Sequence, residues 1–262
     1  MDIILSVVIV EYHSIKEIRE CVASLKSHIM VPYEIIVSSN SCYNQQQKEE
    51  IDLSEEHVRW LFNERNDGFS YAMNLGLKAA RGKYMIIMNS DCIMESVLDD
   101  MVAFMDKHPE VGAIAPKMVD KDGNTQDSAR PYVTVPRYIW RQMRRLAGHK
   151  TTILNVKMDY TKVQTVDWVI GAFIMVSRSA YEATDGLDNQ YFMYAEDMDW
   201  CTRIRQKGFE VVYYPPTVII YKGTRRARNN SKYARIFIAS HIKYWKKFGY
   251  FYGYPSRKEM TF

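Results

Sequence analysis

Two short acidic stretches, far apart in the chain, carry the side chains best suited to chemistry. The first is Asn89-Ser90-Asp91, which closes the apolar run Tyr84 to Met88. That run has the length and bulk of a strand buried on both faces. A carboxylate at the carboxyl edge of such a strand is rigidly placed and suits a metal ion or a polar ligand. The second stretch is Glu196-Asp197 with Asp199, entered directly from Tyr191, Phe192 and Tyr194. Aromatic neighbours can desolvate a carboxylate and tune its pKa towards base catalysis. Each stretch also has a plainer reading. Asn89 and Asp91 can form a turn and cap the next helix, and three acids at a helix start answer the helix dipole. The dipole does not account for the aromatic residues that lead into those acids.

The elements that must position these groups alternate strand and helix. Ile3 to Val10 is a β-branched apolar run of the kind found in central strands. Ser14 and Glu17 have capping-box spacing, and Ile15, Ile18, Val22, Leu25 and Ile29 give the following helix one apolar face until Pro32 ends it. Glu34 to Val37 forms a second strand ending in Ser38-Ser39-Asn40-Ser41, and Val58 to Phe62 a third, joined by right-handed crossovers. An exposed helix from Asn44 to Glu50 lies between them. Gly68 permits a turn, Ser70 can cap, and the run to Ala80 is a helix stopped by Gly82, whose start offers free N–H groups to an anion. A helix bearing Val97, Leu98, Met101, Val102 and Met105 follows Asp91. A strand from Val111 and a turn at Lys121-Asp122-Gly123 come next. Arg130 to Lys150 interleaves arginines with Tyr138, Ile139, Trp140, Met143 and Leu146, and reads as an amphipathic surface helix or loop with a solvated charged face. Asp167 to Val176 reads as one apolar strand in which Gly171 marks a close approach. A helix runs from about Glu196 to Gly208 with acids first and Arg203, Arg205 and Lys207 last. A final helix, from about Lys232 to Phe248, packs Ile236, Phe237, Ile242 and Trp245 on the body.

At 262 residues and 47% hydrophobic content the chain can bury a full core as one α/β domain with appendages. No apolar run nears the roughly 18 residues that span a bilayer. The start Met1-Asp2 has neither a basic region nor a small-residue cleavage site, so the expected location is cytoplasmic. Cys21, Cys42, Cys92 and Cys201 are widely spaced, which argues against a zinc site or a disulfide framework. The net charge of +4 hides an asymmetry. No Asp or Glu falls between Val211 and Lys258, where Lys222, Arg225, Arg226, Arg228, Lys232, Arg235, Lys243, Lys246, Lys247, Arg257 and Lys258 cluster. The molecule is an acidic body with a basic end.

On several of these stretches the chain resembles the inverting family 2 glycosyltransferases of GT-A fold, and within them the bacterial rhamnosyltransferase-like branch. The stretches are the opening strand into Tyr12-His13-Ser14, Asn66-x-Gly68-Phe69 with Asn74-x-Gly76, the strand ending Asn89-Ser90-Asp91, Trp168-x-x-Gly171, Tyr194 to Asp199, and Lys243 to Gly249. The resemblance implies a Rossmann-like α/β fold, mostly parallel, with helices on both faces of the sheet. A transferase domain would span residues 1–222, divided into a nucleotide-binding half, 1–110, and an acceptor-binding half, 111–222. A basic aromatic helical extension, 223–262, would follow.

The same resemblance implies site roles. Asp91 would belong to an Asp-x-Asp-type motif, with Asn89 in its first place, and hold a divalent cation, Mn²⁺ or Mg²⁺, at the diphosphate. Asp197 would be the general base and Glu196 its neighbour, binding acceptor or raising the Asp197 pKa. Glu11, Ser39, Asn40, Asn66, Gly68, Phe69, Asn74, Asn89, Ser90 and Lys222 would line the nucleotide-sugar site, and Trp168, Gly171 and Tyr194 the sugar or acceptor pocket. The donor would be dTDP- or UDP-linked, with rhamnose suggested by the branch. The acceptor would be a glycan or polyprenyl-linked glycan of bacterial surface polysaccharide.

Three positions depart from the family pattern. Ser39 stands where an Asp usually holds the base. Ile220-Tyr221-Lys222-Gly223 stands where a His often helps to ligate metal, so Lys222 is expected to offset the diphosphate charge directly and weaken any metal dependence. Glu11 precedes Tyr12 where a small hydroxyl residue is commoner. The basic end is expected to touch anionic lipid at the inner face of the cell membrane, with nucleic acid the disfavoured ligand. Two rival readings are a relic that kept the fold and lost catalysis, and a nucleotidyltransferase. The latter lacks support in Glu11-Tyr12-His13-Ser14, which is no glycine-rich phosphate loop.

Overall fold

The computed structural model describes residues 2–54, 58–148, 158–223 and 231–250. The opening half alternates as expected: β1 (Leu5–Glu11), α1 (Ile15–His28), β2 (Tyr33–Ser39), α2 (Gln45–Ser54), β3 (Val58–Phe62), α3 (Phe69–Ala79) and β4 (Tyr84–Asn89). Then come β5 (Cys92–Met94), α4 (Asp99–Lys107), β6 (Val111–Val119), β7 (Ala129–Arg130) and α5 (Val135–Leu146). The chain continues through β8 (Gln164–Thr165), β9 (Trp168–Val169), β10 (Phe173–Ser177), α6 (Arg178–Thr184), α7 (Glu196–Gln206), β11 (Glu210–Tyr221) and α8 (Ser231–Phe248).

A nine-stranded sheet runs β3-β2-β1-β4-β10-β6-β11-β5, with β8 paired to β11. β3, β2, β1, β4, β6 and β11 point one way; β10, β5 and β8 oppose them, so the sheet is mostly parallel. Alternation along each strand splits the core between the two faces. Leu5, Val7 and Ile9 of β1 pack with α1 residues Ile18, Val22 and Leu25 and α4 residues Met101 and Met105. Val8, with Ile87 of β4, faces Met73 and Leu77 of α3, Met198 and Ile204 of α7, and Tyr244 and Trp245 of α8. The C-terminal helix is thus bound into the core rather than hung from it.

Several local expectations are corrected. The apolar stretch from Asp167 is not one strand: it breaks at Ile170–Ala172 into β9, paired with β7 in a separate small sheet, and β10 in the main sheet. The break turns the Gly171 N–H out of register towards α7, where Asp197 accepts it. A short edge strand, β5, separates Asp91 from α4, pairing with β11 before the helix begins. Ser14 is the N-cap of α1 but makes no capping hydrogen bond, because Glu11 takes its N–H and its own hydroxyl accepts from Ser90 at 3.2 Å. Gly68, not Ser70, is the N-cap of α3; Ser70 lies inside the helix with its hydroxyl buried. On α8 the inward residues are Phe237, His241, Tyr244 and Trp245, while Ile242 is exposed.

Candidate active site

The carboxyl edges of β1, β2 and β4 meet on one rim of the sheet. β4 ends at Asn89, and Ser90-Asp91 turns the chain into β5. The Asn89 backbone N–H donates to the Ala172 carbonyl at 2.9 Å, and the Ser90 hydroxyl donates to Ser14. Lys222, at the end of β11, donates its backbone N–H to the Asp91 carbonyl at 3.2 Å. Its ammonium lies 2.5 Å from Glu20 Oε2, an ion pair across the rim rather than a charge left for a ligand alone. The carboxylate of Asp91 helps to raise the pKa of Cys21, Cys92 and Tyr221, each shifted mainly by burial.

Asp197 sits in the first turn of α7. The turn is entered through two left-handed non-glycine residues, Tyr194 (φ 71°) and Ala195 (φ 64°), a strained backbone that must be held by its surroundings. Asp197 Oδ2 accepts the Gly171 N–H and Oδ1 accepts the Met198 N–H, each at 2.8 Å. A Cβ at position 171 would stand 3.2 Å from Asp197 Cβ, so glycine permits this approach. Asn89 bonds Ala172 and the adjacent Gly171 bonds Asp197. Two hydrogen bonds therefore join the strand-end cluster to the helix start across more than a hundred residues of sequence. Tyr221 feels both ends of that link, since Asp91 and Asp197 each raise its pKa beyond the effect of burial.

The neighbouring acids differ in environment. Glu196 is buried, its Oε2 has no hydrogen-bond partner among the described residues, and burial with the Asp197 charge beside it pushes its pKa far up. Burial also raises Asp197, but the N–H groups of Gly171 and Met198 and the charge of Arg130 counter the rise. The two carboxyls thus differ in surroundings: burial and the neighbouring charge favour the protonated form of Glu196, while the donors and the cation near Asp197 favour its charged form. Asp199 is wholly buried; its charge adds to the rise at Glu196, but its own oxygens are bound elsewhere. It binds Arg203 at 2.6 Å, Lys247 of α8 at 2.7 Å and the Tyr191 hydroxyl at 3.1 Å.

The β1–β2 end of the rim is a closed network. Glu11 is buried and lies in register with Ser39 on the neighbouring strand. Its carboxylate accepts from Ser39 (2.5 Å), Ser41 (2.8 Å), the Ser14 N–H (2.7 Å) and Tyr43 (3.2 Å). The acid missing at position 39 is thus supplied to the same place by the adjacent strand. Asn40 donates to the Gly68 carbonyl and accepts from Asn63, and Asn66 accepts the Gly68 N–H. Gly68 has φ 102°, and a Cβ there would come 2.5 Å from the Phe192 carbonyl, which accepts the Phe69 N–H. Asn74, expected at the nucleotide, has its amide taken up by the Leu187 backbone and Asn189. It braces the loop leading to α7.

Trp168 is buried, its indole N–H donates to the Pro131 carbonyl, and the Arg130 guanidinium lies 5.3 Å from its ring centroid. Tyr194 packs on Phe237 of α8. Sequence reasoning missed Arg130 and Tyr221 as site residues. Arg130 left no signal, being half of a two-residue strand; Tyr221 had one, standing in the segment where the resemblance sets a metal-ligating His.

The chain matches the glycosyl transferase family 2 profile over residues 6–184, more than half its length. It belongs to that family. The chain is 25% identical over 261 residues, 93% of this chain and 83% of the relative, to the N-acetylglucosaminyl-diphospho-decaprenol L-rhamnosyltransferase of Mycobacterium tuberculosis. Rhamnosyltransferase WbbL of Escherichia coli is 29% identical over 160 residues, 56% of this chain and 58% of that protein. Among solved structures, GalNAc-T7 with UDP, GalNAc and Mn²⁺ superposes with a TM-score of 0.65 at 18% identity. The match covers 94% of this chain but only 48% of GalNAc-T7. The Pyrobaculum calidifontis mannosyltransferase PcManGT, with GDP-Man and Mn²⁺, gives 0.61 at 15% identity, covering 95% and 65%. These likenesses establish the GT-A fold, and the family makes the chain a glycosyltransferase.

Proposed function

We propose that the enzyme inverts the anomeric centre of a nucleoside-diphosphate sugar, dTDP- or UDP-linked and of rhamnosyl type, as it transfers the sugar to a lipid-linked glycan. Asp197 takes the proton of the acceptor hydroxyl. That oxygen forms a bond to the anomeric carbon while the carbon–oxygen bond to the diphosphate breaks, and the electron pair leaves with the diphosphate. The reading rests on the two-bond link through Ala172 and Gly171 between the Asp91 edge and Asp197. The contrast between the two acids supports it: burial and the Asp197 charge push the Glu196 pKa far up, while the donors on Asp197 favour the charged form that a base needs.

The residues around Asp91 fit a shared cation better than a protein cage. Among the described residues no group of three or more His, Cys, Asp or Glu could hold a metal. Asp91 with Asn89 and Ser90 instead offers a small, all-oxygen donor set, suited to Mg²⁺ or Mn²⁺ that also binds substrate phosphate. Such an ion supplies charge neutralisation at the leaving diphosphate. The lipid-linked acceptor and rhamnosyl donor follow the mycobacterial relative's name. Among the described residues no helix is long and apolar enough to cross a membrane.

The test is release of nucleoside diphosphate from a panel of dTDP- and UDP-sugars with a polyprenyl-diphosphate-linked acceptor. Asp197→Asn should lower turnover by about 10²–10⁴-fold while leaving the thermal shift given by the nucleoside diphosphate intact. Equal rates for the two proteins would remove Asp197 from the mechanism.

A further inference from the structure

We infer that α5 is a docking helix for an anionic lipid surface. The sequence Val-Pro-Arg-Tyr-Ile-Trp-Arg-Gln-Met-Arg-Arg-Leu has no acid, and its apolar and basic residues separate cleanly around the helix. On an ordinary surface helix the apolar stripe faces the core. Here the orientation is reversed. Ile139, Met143 and Leu146, at i, i+4 and i+7, are 52%, 64% and 89% exposed, and Trp140 is 49% exposed. The body holds α5 from another side: Tyr138, half-buried, packs edge-on to Trp245 of α8 at 5.5 Å and lies 6.4 Å from His241. The Trp245 indole donates to the Val133 carbonyl just before the helix. Two arginines lie against aromatic rings of the same helix, Arg144 over Trp140 and Arg141 over Tyr138.

A clean apolar stripe turned outward, an adjoining arginine face and an interfacial Trp are the pattern of a helix that lies in a headgroup layer. The charge argues for lipid over other occupants. A second copy of the chain laid on the same face would bring two arginine rows together with no acid between them. Nucleic acid would meet Ile, Met and Leu, which neither stack on bases nor bond to phosphate. On α8 the expected lipid-facing lysines are partly engaged within the protein: Lys243 binds the Gln190 carbonyl and Lys247 binds Asp188 and Asp199. Arg225, Arg226, Arg228, Arg257 and Lys258 lie outside the described residues. The docking surface therefore centres on α5. The segment leading into α5 begins at Arg130, whose guanidinium lies over Trp168 and whose charge acts on Asp197.

Co-sedimentation of the full chain with vesicles tests this. The wild type should pellet with phosphatidylcholine vesicles containing phosphatidylglycerol and much less with phosphatidylcholine alone. Trp140 emission should shift to the blue on binding. The triple variant Ile139→Ser, Met143→Ser, Leu146→Ser should weaken vesicle binding by at least about tenfold, and Arg144→Gln by about fivefold. The side chains replaced in the triple variant are exposed, so its melting temperature should hold. The docking claim is overturned if the wild type ignores both vesicle types, if the triple variant pellets as the wild type does, or if α5 mediates only self-association or RNA binding. The nucleoside diphosphate thermal shift on the same preparations reads the proposed function separately.

Discussion

Asp199 and Asp197 are two residues apart on one helix turn, and the structure gives them opposite work. Asp199 is fully buried, with Arg203 Nε 2.6 Å from one oxygen and Lys247 Nζ 2.7 Å from the other. The Arg203 guanidinium also donates to the carbonyls of Thr184 and Gly186, and Lys247 also binds Asp188. One carboxylate thereby ties α7 to the α6–α7 connection and to α8. Asp199→Ala would leave a partly buried guanidinium without its counter-charge, a change that costs about 3–5 kcal/mol where no partner remains. The carbonyls and Asp188 retain part of the pairing, so the expectation is the lower end, about 3 kcal/mol. At about 2–4 °C per kcal/mol for a chain of this size, the melting temperature should fall by roughly 6–12 °C. Lys247→Met should cost only about 1 kcal/mol, because that side chain is 36% exposed and Arg203 remains. Urea denaturation of the two single variants and the double variant yields the coupling energy. Asp197→Asn, measured alongside, should lose turnover and keep stability. A loss below about 1 kcal/mol for Asp199→Ala would refute the assignment of Asp199 as the tie.

Gly68→Ala should both destabilise and inactivate: the positive φ and the Phe192 carbonyl 2.5 Å from a new Cβ leave no room, and about 1–3 kcal/mol of strain would be relieved only by moving the loop before α7. Thermal melting and turnover together check it, and unchanged turnover would detach that loop from the site. Glu11→Gln replaces acceptors with an amide facing two hydroxyl donors and should cost about 1–3 kcal/mol and weaken nucleoside diphosphate binding; calorimetry reads both. His241 is pushed down to about 4 by burial, with the charges of Arg141 and Arg130 adding to the shift. The unfolded chain therefore binds the proton more readily between about pH 6.5 and 4, and stability drawn from neutral His241 is full above that window and lost as pH falls through it. About 3 kcal/mol is at stake, and His241→Phe should flatten the acid limb of a melting-temperature profile.

The sequence carried the strand-and-helix alternation because each element is periodic over its own length. β1, β3, β4 and α7 begin or end within a residue or two of their expected places, since Gly, Pro and charged residues punctuate them. What lay beyond it was pairing. Nothing in Phe173–Ser177 says that β10 enters antiparallel between β4 and β6. β5 and β7 are too short to show a period at all. The apolar character of Ile242 suggested burial, yet the helix phase set by Phe237, His241 and Trp245 turns it outward.

The site divides along the same line. Asp91 and Asp197 could be nominated because a carboxylate at a strand end or behind aromatic residues is locally unusual. The difference in surroundings between the two helix acids could not, because it comes from the Gly171 N–H, twenty-six residues from Asp197, and from the burial of Glu196. Glu11 and Ser39 make the same point from the other side. Read singly, each is a departure from the family pattern; read in the strand register they are one feature, a carboxylate carried by β1 instead of β2 and bonded to the hydroxyl that replaced it. With four donors already on it, that carboxylate shapes the turns after β1 and β2 rather than reaching a ligand itself. On the proposed reading, Glu11 would act on nucleotide binding through Ser41 and the His13 N–H that Ser41 accepts. A change of charge at position 11 should move affinity for every nucleoside diphosphate together, not the preference among bases.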